Sequence, residues 1–102
     1  MRNRRRVRKS NYLMAYKIKK SKEFLKNVLS TAKYIEKEWG MISAKKFQSI
    51  LDSKIGELSI DPEIGRVTAK NKSIRKFKIT KHNKIYYRTL KNEINILTLF
   101  ET

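Results

Sequence analysis

SIRKFKITKHNKIYYRTLKNEINILTLF, residues 73–100, decides how this chain folds. Three runs in it alternate apolar and polar residues, and two short turn-forming segments separate them, the pattern of two consecutive β-hairpins. On the run 74–80 the two-residue period of a strand puts Arg75, Phe77 and Ile79 on one face and Lys76 and Lys78 on the other. A three-residue turn at Lys81, His82 and Asn83, with Asn83 as the residue most tolerant of positive φ, sets Ile79 opposite Ile85 and Phe77 opposite Tyr87. A two-residue turn would set Phe77 against Arg88, so the hydrophobic pattern selects the longer one. The second turn, around Lys91 and Asn92, brings Ile94 and Ile96 onto the Ile85/Tyr87 face. By the same parity the opposite face carries Lys76, Lys78, Lys84, Tyr86, Arg88 and Leu90, with Asn95, Leu97 and Leu99 from the last run.

Upstream, the meander needs a cover for its apolar face. Residues 15–20 alternate Tyr16 and Ile18 with lysines, as a short edge strand does. Ser21 is placed to cap a helix in which Phe24, Val28, Leu29, Ala32, Ile35 and Trp39 recur three or four apart, and Glu23 suits the positive end of its dipole. Gly40 stops that helix, and Ser43 is the expected cap of a second one with Ala44, Phe47, Ile50, Leu51, Ile55 and Leu58 on its buried stripe. The short connection 40–42 makes the two an antiparallel hairpin. Asp61, Pro62 and Gly65 end the second helix and carry the chain to the sheet. Two helices cover one side of a sheet, so Tyr86, Leu90, Leu97 and Leu99, rimmed by cations, are expected to stay open for a partner.

With 102 residues, 39% of them hydrophobic, the chain makes one domain with one modest core. It has 26 Lys and Arg against nine Asp and Glu, a formal charge of +17, which favours polyanions or an acidic protein. Between Glu63 and Glu93 there is no acid and there are ten basic residues. Six more, Arg2, Arg4, Arg5, Arg6, Arg8 and Lys9, lie in residues 1–13, and without them the formal charge is still +11. That segment reads as a disordered basic arm, an extension upstream of a start at Met14 in preference to a nucleic-acid tether, leaving residues 14–102 as the single domain.

Cysteine is absent, so disulfides, thiol nucleophiles and thiolate metal centres are excluded; His82, the sole histidine, would need several carboxylate partners to hold a metal, and no cofactor is expected. No apolar run is long enough for a transmembrane helix or a secretory signal, and a cytoplasmic protein without membrane contact is the expectation. Glu23, Glu36, Glu38, Asp52 and Glu57 fall on the helices, where ion pairs with neighbouring lysines are expected. The helix aromatics Phe24, Tyr34, Trp39 and Phe47 read as core or groove residues. His82, beside Lys81 at a turn, reads as a solvated loop residue.

The order of strand, helical hairpin and three-stranded meander, the L-x-x-D-P-x-x-G pattern from Leu58 to Gly65, and IRKFKITKHNKIYYR from Ile74 to Arg88 together resemble the RelE/ParE superfamily of toxins from type II toxin-antitoxin systems, plasmid stabilisation proteins among them. The resemblance covers Met14 to Thr102. It implies an α+β fold, βααβββ, with the helical hairpin on one face of a small antiparallel sheet, and a growth-inhibiting toxin neutralised by a small acidic antitoxin. Operator DNA would be met only through the antitoxin complex. The RelE branch cleaves messenger RNA on the ribosome, whereas the ParE branch inhibits DNA gyrase.

Cleavage through the 2′-hydroxyl needs a base, an acid and cations for the phosphorane charge. If the chain is an endoribonuclease, the candidates are Arg75, Lys84, Tyr86 and Arg88. The RelE branch also carries an arginine after the last strand and a tyrosine or histidine beyond it, where this chain has Glu101 and Thr102. That difference favours the ParE-like, non-nucleolytic reading, with a RelE-like nuclease as the alternative and a basic nucleic-acid-binding module as a third. For the antitoxin, the expected contacts are Lys76, Lys78, Tyr86, Arg88, Leu90, Leu97 and Leu99.

Overall fold

A computed structural model describes residues 15–101; the basic segment 1–13 lies outside the described residues. The chain runs through β1 (Lys17–Lys20), α1 (Lys22–Trp39), α2 (Met41–Ile60), β2 (Arg66–Val67), β3 (Arg75–Lys78), β4 (Asn83–Leu90) and β5 (Glu93–Glu101). The sheet order is β1-β5-β4-β3-β2. Neighbours from β2 to β5 are antiparallel and β1 joins the β5 edge in parallel, so the α+β fold holds with a mixed sheet. The two-residue β2 is an addition within the crossing segment.

Ser21 ties the first helix to the sheet. Its hydroxyl oxygen accepts from the Phe24 N–H at 2.9 Å and its O–H donates to the Leu97 carbonyl at 2.7 Å, so one side chain caps α1 and holds it to β5. Asn27 makes a second tie: its Oδ1 accepts from the Leu99 N–H and the Thr98 hydroxyl. Beyond Ile96, which pairs with Lys20, β5 has no β1 residue alongside it, and the start of α1 closes that edge.

The helical connection is tighter than its sequence implies. Gly40, at φ 97°, closes α1 and opens α2 by itself, a reversal that a side-chain-bearing residue rarely adopts. Ser43 therefore lies inside α2 and does not cap it. Phe47, Leu51, Ile55 and Leu58 are buried as the periodicity predicts. On α1 only Phe24 is fully buried, and the expected core positions Leu29 and Trp39 are 57% and 72% exposed. Met41 and Ile42, which join Trp39 at the tip of the hairpin, are 56% and 84% exposed. Nor do the helix carboxylates form the expected ion pairs, because among the described residues only Lys19 and Glu93 approach, at 3.9 Å. Asp52 instead accepts from the Gln48 amide.

The core joins α2 and Phe24 to Ile79, Ile85, Tyr87, Ile94, Ile96 and Leu99, with Phe77 packed at its margin. The predicted face is right and the predicted register is not. Phe77 pairs with Ile85 and Arg75 with Tyr87, while Ile79 donates to the Asn83 carbonyl. The turn is thus Thr80 to His82, and Asn83 is buried with its Oδ1 accepting from the Thr80 hydroxyl. A slip of two residues leaves every side chain on its face, so alternation cannot distinguish the two registers. The second turn falls at Lys91 and Asn92 as expected, Lys91 adopting φ 49°.

A further correction concerns β5. Tyr86 pairs with Thr98 but Tyr87 pairs with Ile96, so Leu97 is an extra residue and the strand bulges there. Beyond the bulge the parity inverts. Leu99 turns into the core opposite Ile85 at 6% exposure, and Phe100 comes out on the open face opposite Lys84. Leu99 is therefore not on the surface expected to meet a partner, and Leu97 is half-buried.

Candidate functional site

Two places bring the singled-out residues together, one inside and one outside. Inside, Tyr87 reaches past the core to the loop that follows α2. Its phenol donates to the Pro62 carbonyl at 2.7 Å and accepts from the Gly65 N–H at 2.9 Å. Arg75 locks the same loop, its Nη1 donating to the Gly65 carbonyl at 2.7 Å and to the Glu63 carbonyl at 3.3 Å. The first nuclease candidate is thus a loop-holding residue on the core side of the sheet, apart from Lys84, Tyr86 and Arg88. Gly65 is required by close approach, since a Cβ there would lie 2.6 Å from the Tyr87 hydroxyl and 2.8 Å from the Lys76 carbonyl.

Burial pushes the Tyr87 phenol above its ordinary value of 10.0; the Gly65 hydrogen bond and the Arg75 charge oppose the rise, and Asp61 and Glu63 add to it. Because the folded-state value is the higher one, the phenol's contribution is intact below pH about 10 and is lost as pH climbs from there through the folded value. The melting temperature of the parent is expected to fall relative to Tyr87→Phe above pH 10, a comparison in which the titrating lysines cancel. Parallel curves for the two proteins would show that this phenol is not linked to folding.

Outside, the open sheet face carries cations in register. Arg66 stands opposite Lys76, Lys78 opposite Lys84, and Tyr86 also opposite Lys76. These cations and Lys81, with Ile64 and Phe77, line an open groove of about 620 Å³ along the β3 edge beyond the end of β2. Tyr86 is half-buried and meets Phe100 edge to face, ring centroids 6.2 Å apart, and Lys84 lies 5.9 Å from the Phe100 centroid. Arg88 and Leu90 continue this face as exposed residues.

Of the residues expected there, Lys76, Lys78, Lys84, Tyr86, Arg88 and Leu90 are present, Leu97 is the half-buried bulge residue and Leu99 lies in the core, while Arg75 keeps the face that alternation gave it, with Phe77. Arg66, Lys81 and Phe100 were missed. Arg66 was legible only as one cation among many, and Phe100 reaches the face through the bulge, which alternation does not encode. His82 is exposed at the turn, where its N–H donates to the Thr80 hydroxyl. Among the described residues no group of three or more acidic or histidine side chains could hold a metal ion, and no helix is long and apolar enough to cross a membrane.

The helical hairpin packed on a five-stranded mixed sheet matches the RelE/ParE-like fold. The family model of the ParE toxin of type II toxin-antitoxin systems, parDE, matches residues 18–101, and the chain belongs to that family. A chain of the chromosomal ParDE toxin-antitoxin system of P. aeruginosa has the same fold, with a TM-score of 0.75 at 14% identity over 87% of this chain and 98% of that one. A conserved hypothetical protein of Helicobacter pylori is similar at a TM-score of 0.53 and 20% identity, over 84% of this chain and 93% of its own. No curated protein sequence matches the chain.

Proposed function

We propose that this toxin arrests growth by inhibiting DNA gyrase without cutting message, and that a small acidic antitoxin neutralises it across the open face. Membership of the ParE family supports the target. The observation that carries the choice against a nuclease is the engagement of Arg75, whose guanidinium donates to two loop carbonyls and is not presented to the groove. The groove itself is lined by cations and hydroxyl, amide and apolar groups, with no carboxylate or imidazole. Such a lining attracts an anion but supplies no conventional acid–base pair for strand cleavage.

The antitoxin reading rests on charge and on what stays uncovered. Leu25 and Leu29 on α1 are 52% and 57% exposed one helical turn apart, and Leu90 and Phe100 on the sheet are 48% and 51% exposed. An acidic segment with apolar anchors meets both surfaces, its carboxylates on Lys76, Lys78 and Arg88. Disordered segments that fold on binding suit such extended contact.

The test is induction of the chain in cells with and without a cognate antitoxin. The expected result is filamentation and a DNA-damage response with intact messages, both suppressed by the antitoxin. Cuts in ribosome-bound messages that vanish with Lys84→Ala would establish the RelE-like reaction in its place. Leu25→Asp combined with Leu29→Asp is expected to weaken antitoxin capture at least tenfold with the fold retained; an unchanged dissociation constant would remove α1 from the interface.

A further inference from the structure

The open face holds two like-charged cross-strand pairs, Arg66 with Lys76 and Lys78 with Lys84. Residues paired in this way have Cβ atoms about 4.5–5.5 Å apart, where like charges destabilise a sheet. Lys76 and Lys78 follow each other on one strand face, so the four cations form a staggered lattice that steps across β2, β3 and β4, with Tyr86 on β4 beside Lys76. Among the described residues no acidic side chain forms an ion pair with it: the pair of Lys19 with Glu93 belongs to the opposite edge of the sheet. A lattice of this kind is stabilised by an anion with several charges in a row.

The neighbouring side chains distinguish between polyanions. Had β5 kept its parity, leucines would stand beside the lattice and an apolar polypeptide would fit it. The bulge at Leu97 instead puts Phe100 next to Lys84, half exposed and braced edge-on by Tyr86. Cations along a groove with an exposed sheet-borne ring beside them are the two components of single-strand recognition: charge for the phosphodiester backbone and a π-face for an unpaired base. A duplex offers the phosphates but keeps its bases stacked away.

We propose that this face binds a single-stranded polynucleotide, with phosphates over Arg66, Lys76, Lys78 and Lys84 and a base stacked on Phe100. This goes beyond the toxin reading and does not depend on it, since neither gyrase nor antitoxin takes part in its test. It also makes a consequence of the antitoxin reading concrete, because a chain covering Lys76 and Lys78 would displace the polynucleotide.

The experiment is fluorescence anisotropy of the purified full chain with short labelled oligo-dT and oligo-rU over a salt series, with an abasic strand and a duplex of equal length alongside. The cations of residues 1–13 contribute alike to every variant. Phe100→Ala is expected to weaken single-strand binding about tenfold, the range of base–aromatic stacking, and to leave duplex binding unchanged. The abasic strand should bind the parent as weakly as oligo-dT binds Phe100→Ala. Lys78→Gln with Lys84→Gln should reduce the slope of log affinity against log salt by about 1.4, from about 0.7 per phosphate on a single strand. The tighter of the two oligonucleotides identifies DNA or RNA as the source, and either supports the proposal. Equal affinity of Phe100→Ala and parent for oligo-dT would overturn it, as would equal affinity of the parent for oligo-dT and for the abasic strand. Circular dichroism melts of each variant exclude unfolding as the cause.

Discussion

Leu99→Asp is expected to unfold this domain, whereas Phe100→Asp, one residue on, leaves it folded. Leu99 is 6% exposed against Ile85 in the core, so the substitution removes a buried leucine, at about 2–5 kcal/mol. It also places a carboxylate in apolar surroundings, which costs several kcal/mol more or forces the group to take up a proton. Against a total stability of about 5–15 kcal/mol, little or no folded protein should remain at 25 °C. Phe100 is 51% exposed and its neighbours are Lys84 and Tyr86. Aspartate there gives up an edge-to-face contact and a cation–π contact and gains cationic neighbours, a net change of about 1 kcal/mol or less. A strand without the bulge would invert both outcomes, so thermal melts of the two variants test the bulge directly. A cooperative melt from Leu99→Asp at near-parental temperature would refute the assignment.

The second large effect belongs to the lock between Tyr87 and Gly65. Tyr87→Phe removes the donor to Pro62 and strands the buried Gly65 N–H, at a cost of about 1–3 kcal/mol. Gly65→Ala forces a methyl into the space held by the phenol and the Lys76 carbonyl, and overpacking of this kind costs about 1–3 kcal/mol. Reduced freedom of the unfolded chain returns less than about 1 kcal/mol, so destabilisation wins. For a domain of this size each kcal/mol lowers the melting temperature by about 4–8 °C. The two substitutions should not add: the phenol oxygen is the nearest atom to the new methyl, so Gly65→Ala is expected to cost less in Tyr87→Phe than in the parent. Strict additivity in denaturant titrations would mean that the methyl is relieved elsewhere.

Much of this molecule was legible in residue order. The helix periodicity of Phe47, Leu51, Ile55 and Leu58 placed α2 on the core, Ser21 announced the start of α1, and the alternation of Phe77, Ile79, Ile85, Tyr87, Ile94 and Ile96 identified the buried sheet face. These are local or parity-based signals, and burial of one face enforces them wherever the strands end up pairing. The cations of the open face were legible for the same reason, as the other half of that alternation.

Three decisions lay beyond it. The hairpin register shifts by two residues because such a slip costs nothing in pattern, and the Thr80–Asn83 bonds at the turn accompany the register adopted. Leu29 and Trp39 satisfy the helical period yet remain exposed, because period states which side of a helix is apolar and not how much of it the rest of the chain covers. Most consequential is the extra residue at Leu97. It sits where β5 leaves β1 and its edge is taken over by Ser21 and Asn27 of the helix start, contacts more than 70 residues away in sequence. Alternation within a strand is dictated by backbone geometry and can be read from a window of a few residues; its interruption was set by what packs along the strand's edge, and that exists only once the chain has folded.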